Sequence, residues 1–257
     1  MTSDTGTVRP VTATAAPTRV ANVVRLHLTQ RSQLLVLPWM ILGFIFLVNL
    51  VIWWLVLASS APAELASVSQ GMQFSGASTF IFVYMLVVAV QAINVTFPFA
   101  LGYGVTRRDF YLGSAATFVL LSVYYALGMT LLATIERATA GWGLGGSMFD
   151  VVYFGSGTAA QQFALFLLGF LFFFFIGAAT AAVYVRWRSR GMLVFFAALT
   201  LILVGLSVLA TSTASWPLVG EWFARSGALG VAVWSLVPTT LAAVAGFVLL
   251  RRATPRN

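Results

Sequence analysis

Apolar residues gather along this chain into six long runs, separated by short segments that hold nearly all the charge. The runs are Leu34–Leu57, Thr79–Tyr103, Leu112–Ile135, Gln161–Val185, Met192–Ala210 and Gly227–Leu250. A helix crossing a bilayer needs about 20 apolar residues. Each run is close to that length, and none has an ionisable residue in its interior. Strands of a membrane barrel would instead alternate in polarity over about ten residues, and stretches such as Phe170–Ile176 and Val244–Leu250 do not. The pattern predicts an all-α integral membrane protein with a six-helix transmembrane domain over residues 34–252.

The connecting segments set the expected orientation. Twelve of the fourteen arginines (Arg9, Arg19, Arg25, Arg31, Arg107, Arg108, Arg186, Arg188, Arg190, Arg251, Arg252 and Arg256) fall on the side shared by both ends of the chain. The opposite side carries only Arg137 and Arg225, with Glu64, Glu136, Asp150 and Glu221. The positive-inside rule then places the N- and C-termini in the cytoplasm.

Before the first run, residues 1–17 are rich in Thr, Ala and Pro and are expected to be a disordered cytoplasmic tail. Residues 18–33 can form a short amphipathic helix. Val20, Val23, Val24 and Leu28 share one face, with Asn22, Arg25, Thr29 and Ser32 opposite. The segment reads either as a helix resting in the headgroup layer or as a polar extension carrying positive-inside arginines. The first run is too long for a signal-peptide core of about 7–15 residues and is expected to be an uncleaved span. Residues 253–257 form a cytoplasmic tail. On the outer side, Glu136–Ala160 is a Gly-rich connection, and Thr211–Ser226 has the Trp-bearing pattern of an interfacial or re-entrant segment.

Composition narrows the chemistry. Charged residues make up 8% of the chain, against about 25% in a soluble domain. The net charge of +8 sits at the ends of apolar runs rather than along one polar face, which argues against nucleic-acid binding. There is no Cys, so thiol chemistry is excluded, and no Lys, so the Gly-Lys phosphate loop of an ATPase is absent. His27 is the single histidine. No cofactor or metal site and no catalytic residue is expected. The GSGT at Gly155–Thr158 has no nearby histidine to act as a base. Glu136 and Asp150 read as solvated loop charges. Within the runs only neutral polar groups remain, and Gln91, Asn94 and Thr96 make the second run the most polar. They could line a pathway or hydrogen-bond between helices. Pro98 and Pro238 are expected to kink their helices.

The most concentrated motif is the turn FPFALGYGVTRRDFYLGS, Phe97–Ser114. Thr106 followed three positions later by Asp109 reads as an acidic variant of the capping box, starting a short helix. That helix would present Arg107, Arg108, Phe110 and Tyr111, residue types favoured at protein contacts. The plainer alternative is a tight turn with two positive-inside arginines.

The stretch LGYGVTRRDFYLGS resembles the segment before the third span in permease subunits of ABC type-2 exporters. The six runs, the cytoplasmic ends, the amphipathic segment and the re-entrant-looking loop also resemble that family over nearly the whole chain. The resemblance implies a coupling helix between spans two and three, seated on a separate ABC ATPase subunit through Thr106, Arg107, Arg108, Asp109, Phe110 and Tyr111. It also implies a dimer with a second permease chain around a central pathway, in a bacterial cell membrane, with ATP hydrolysed only in the partner. A non-transporting membrane anchor, or a lipid-handling membrane enzyme, is the competing reading.

Overall fold

The computed structural model describes residues 16–27, 32–155 and 157–252. The tail over residues 1–15, positions 28–31 of the amphipathic segment and the tail 253–257 lie outside the described residues. Within them the chain is all-helical: α1 (Ala16–His27), α2 (Leu37–Ser59), α3 (Leu65–Met72), α4 (Phe80–Gly102), α5 (Arg107–Ala138), α6 (Ala159–Ser212), α7 (Trp216–Trp234) and α8 (Leu236–Arg251). A π-helical turn, Ser32–Val36, leads into α2, and single 3-10 turns precede α4 and α6.

Among the described residues, five helical stretches are long and apolar enough to cross a membrane: Ser32–Ser59, Leu65–Gly102, Arg107–Ala138, Ala159–Ser212 and Trp216–Arg251. The protein therefore has the build of a membrane protein. The fourth and fifth apolar runs both lie in α6, whose 54 residues are interrupted at Arg188, where φ is 57° and ψ −153°. An unbroken helix of that length would reach about 80 Å, far beyond a hydrocarbon core of about 30 Å. A second break, at Gly227 (φ 60°), divides α7. Pro98 sits inside α4, and Pro238 falls in the first turn of α8, where a missing N–H leaves no helical bond unmade.

The core is the part of α6 before Arg188, packed against α4, α5 and α8. Aromatic rings fill it: Phe82 lies 4.5 Å from Phe170, and Phe118 stacks on Phe174 at 5.1 Å. Small residues let the backbones approach, as is usual where lipid supplies no hydrophobic drive between helices. A Cβ on Gly177 would stand 2.5 Å from the carbonyl oxygen of Leu86 on α4. Buried Ala178, Ala181 and Ala182 continue this face.

The helix α1 packs on α5. Its Val23 and His27 are buried while Asn22 and Arg25 are exposed, so its inward face meets protein rather than headgroups alone. Tyr125 of α5 donates a hydrogen bond to the carbonyl of Leu34, fixing the π-turn against the bundle.

Candidate functional site

The turn between α4 and α5 is built by two opposed caps. At the end of α4 the amide of Val105 donates to the Ala100 carbonyl at 3.0 Å and that of Gly104 to Leu101 at 3.0 Å. This is a Schellman closure, and Gly104 (φ 78°) supplies the left-handed residue that it needs. Thr106 then adopts extended backbone angles, and its hydroxyl accepts from the Asp109 amide at 3.1 Å. The acidic Asp109 in the first turn suits the positive end of the helix dipole. Only residues 103–106 separate the two helices, so there is no separate short helix here. The motif is the first turn of α5 itself.

This changes which side chains face outward. Thr106 and Arg108 are exposed, Arg107 is half-buried, and Tyr103 just before them is 83% exposed. Asp109, Phe110 and Tyr111 are buried and do not form a docking surface, contrary to the expectation from the motif. Their helix phase turns them toward elements that arrive from distant parts of the chain. Phe110 packs between Phe97 of α4, at 5.2 Å, and His27 of α1, at 5.8 Å. Tyr111 donates to the Ala243 carbonyl of α8 and lies 5.4 Å from Phe247. Arg107 donates to the Arg251 carbonyl in the last turn of α8 at 3.2 Å, where an arginine satisfies a carbonyl left open by the helix end. One turn further along α5, Ser114 meets Nε2 of His27 at 2.8 Å. Burial pulls the His27 pKa down to about 4, leaving the imidazole neutral. The turn is therefore a junction that ties α1, α4, α5 and α8 together behind an outward pair of arginines.

Of the three polar residues of α4, Gln91 and Thr96 line one cavity, between α4, α1 and the start of α2. Thr96 gives its proton to the Ala92 carbonyl. The side-chain oxygen of Asn94 is buried without a hydrogen-bond partner. Among the described residues, no group of three or more His, Cys, Asp or Glu could hold a metal.

At the other end of α5, the structure corrects the reading of Glu136 and Asp150 as solvated loop charges. Glu136 is 1% exposed. Its carboxylate accepts from the Trp142 indole at 2.9 Å and from the amides of Met148, Phe149 and Asp150 at 2.7, 2.7 and 2.6 Å. Asp150 forms a two-point ion pair with Arg137 at 2.7 and 2.9 Å, and buried Gln162 bonds to both partners. This cluster folds the Gly-rich connection back over the bundle. The GSGT stretch ends in Thr158, the N-cap of α6, in a reciprocal capping box with Gln161.

Comparison with protein-family models, with curated proteins and with solved structures returns no match.

Proposed function

We propose that this chain is the membrane-spanning permease subunit of an ATP-driven exporter in a bacterial cell membrane, working with a separate ABC ATPase. The observation that carries the reading is the junction behind Arg107 and Arg108. An outward basic pair sits on a helix start that is tied to α8 through Arg107 and Tyr111 and packed on α1 through Phe110. A partner pressing on that turn would move several helices at once, as coupling to an ATPase requires. The partner's differential affinity for two arrangements of the bundle would set the equilibrium between them.

In this reading the break at Arg188 divides α6 into two spans, giving six in all with both ends in the cytoplasm. The apolar surface beyond that break stays uncovered in a single chain, which leaves room for a second permease chain in a dimer. The absence of any Lys, and so of a phosphate loop, assigns ATP hydrolysis to the partner.

The test is a mild-detergent purification of the tagged chain with identification of what accompanies it. A soluble protein with a Gly-rich phosphate loop should co-purify in a fixed ratio. Replacing Arg107 and Arg108 together by Glu should reduce its recovery at least about tenfold, in line with reversing charges at a contact, without changing membrane insertion. Recovery that the double substitution leaves intact would remove the coupling role. Topology has its own check in this Cys-free chain. Ser189→Cys should react with a membrane-impermeant reagent only after the cells are opened, and labelling of intact cells would overturn the six-span orientation.

A further inference from the structure

We propose that the arginines where α5 begins and α8 ends hold the phosphate of an anionic phospholipid, drawn from the leaflet that meets this end of the bundle. Arg107 of α5 donates to the Arg251 carbonyl of α8 at 3.2 Å, across 144 positions of sequence. That contact brings the pair Arg107 and Arg108 up to the pair Arg251 and Arg252. Arg108, Arg251 and Arg252 are exposed and Arg107 is half-buried. Among the described residues no carboxylate pairs with any of the four. Asp109, next to them in sequence, turns inward and is buried. Four guanidinium groups gathered at one helix junction repel one another, and a bound anion relieves that repulsion.

The outward face of α8 selects the anion. Leu241, Val244 and Val248 are exposed and recur at helical spacing. Their stripe runs on to Arg251 and Arg252, one turn beyond Val248. An apolar stripe that closes on two guanidinium groups has the polarity of a phospholipid, hydrocarbon along the first part and phosphate at the second. Tyr103, 83% exposed in the turn before Arg107, is the kind of amphipathic ring found at headgroup depth. Arginine suits a phosphate because its planar fork gives two parallel hydrogen bonds to two oxygens. By covering the Arg251 carbonyl, Arg107 also keeps the negative end of α8 from meeting the anion bare. An inorganic phosphate would match the charge and leave the stripe unused. The site does not depend on the exporter reading, since α8 would hold such a lipid in an anchor protein as well as in a permease.

Arg107 and Arg108 also belong to the proposed ATPase contact, so the test alters α8 and uses the full chain purified without a partner. Loss of lipid binding and loss of ATPase recovery are then separate results. Phosphatidylglycerol and phosphatidylcholine with the same acyl chains are offered in equal amounts in neutral detergent, and retained lipid is read by native mass spectrometry. The anionic lipid should be retained at least about tenfold more, as expected where several arginines meet one head. Arg252→Gln should lower that retention at least about tenfold, the loss of a hydrogen bond to a charged group, with the melting temperature unchanged. Arg190→Gln removes the same charge just past the break at Arg188. It should lower retention less than about twofold, as a screened charge outside the site would. Equal retention of the two lipids would overturn the proposal. Equal losses in the two variants would also do so, because the attraction would then be diffuse surface charge. Displacement of the lipid by excess inorganic phosphate would replace it with a site for a free anion.

Discussion

The two parts of α6 on either side of Arg188 are similar in hydrophobicity and opposite in packing. Before the break, Phe166, Phe170, Phe174, Ala178, Ala181 and Ala182 are buried against α4, α5 and α8. After it, the most apolar stretch of the helix contains no buried residue, and Leu201 is 72% exposed. In water such a helix would collapse onto the core. In a bilayer, lipid tails are as apolar as leucine, so hydrophobicity decides only that a helix is immersed. What draws helices together is the closeness their small residues allow and the shape of the rings that fill the gap. The first part turns both toward its neighbours, while in the second Ala197 and Ala198 are exposed and Gly205 faces open space.

Matched glycine substitutions give the hardest test of that contrast. A Cβ at Gly177 would meet the backbone carbonyl of Leu86, which moves only if α4 moves. Gly177→Leu should therefore exceed the usual overpacking penalty of about 1–3 kcal/mol and leave little monodisperse protein after detergent extraction. Gly205→Leu meets nothing within 4 Å and should extract and melt like the parent. Equal losses at both positions would mean that the second part packs as tightly as the first in the membrane.

The next largest effect is expected at the far end of α5. Glu136→Ala strands an indole N–H and three amides that one carboxylate now satisfies. Leaving such a buried, charge-assisted network unpaired costs about 3–5 kcal/mol, read as a lower melting temperature in detergent. The exposed pair Arg225–Glu221, at 2.9 Å on the loosely packed side, should lose under about 1 kcal/mol when Glu221 becomes Ala. A comparable drop at both sites would break the comparison between a built end and an unbuilt one.

These cases also mark how far the sequence could be read. Apolar length and the cap at Thr106 are local properties, and the all-helical membrane build and the start of α5 follow from them. The inward turn of Asp109, Phe110 and Tyr111 is not local. It is imposed by α1 and α8, which contact positions more than eighty residues away in the chain. The burial of Glu136 is non-local for a related reason, because its partners come from a loop whose path depends on left-handed backbone. A Cβ at Gly141 (φ 71°) would collide with the backbone of Gly146, so only glycine permits this fold-back. The alternating glycines of Gly141–Gly146 were the available sign that the loop doubles back onto the helix end.

A smaller effect than at Glu136 is expected for α1, which sits between the two regimes, a short helix held by a few buried contacts. His27 contributes a neutral imidazole placed against Ser114, Phe110 and Phe118. Burial lowers its pKa from 6.5 to about 4, so between those values the undocked helix binds a proton that the docked one refuses. Docking is then fully favourable above about pH 6.5, weakens as pH falls toward 4 and changes little below that. At about 1.36 kcal/mol per pKa unit, the loss is on the order of 3 kcal/mol at most. Hydrogen exchange at the amides of residues 21–27 should speed up across that interval, while the amides of buried α5 residues near Tyr125 stay protected. In His27→Phe, which cannot take up a proton, the acceleration should disappear. If it persists there, another group governs the attachment of α1 to α5.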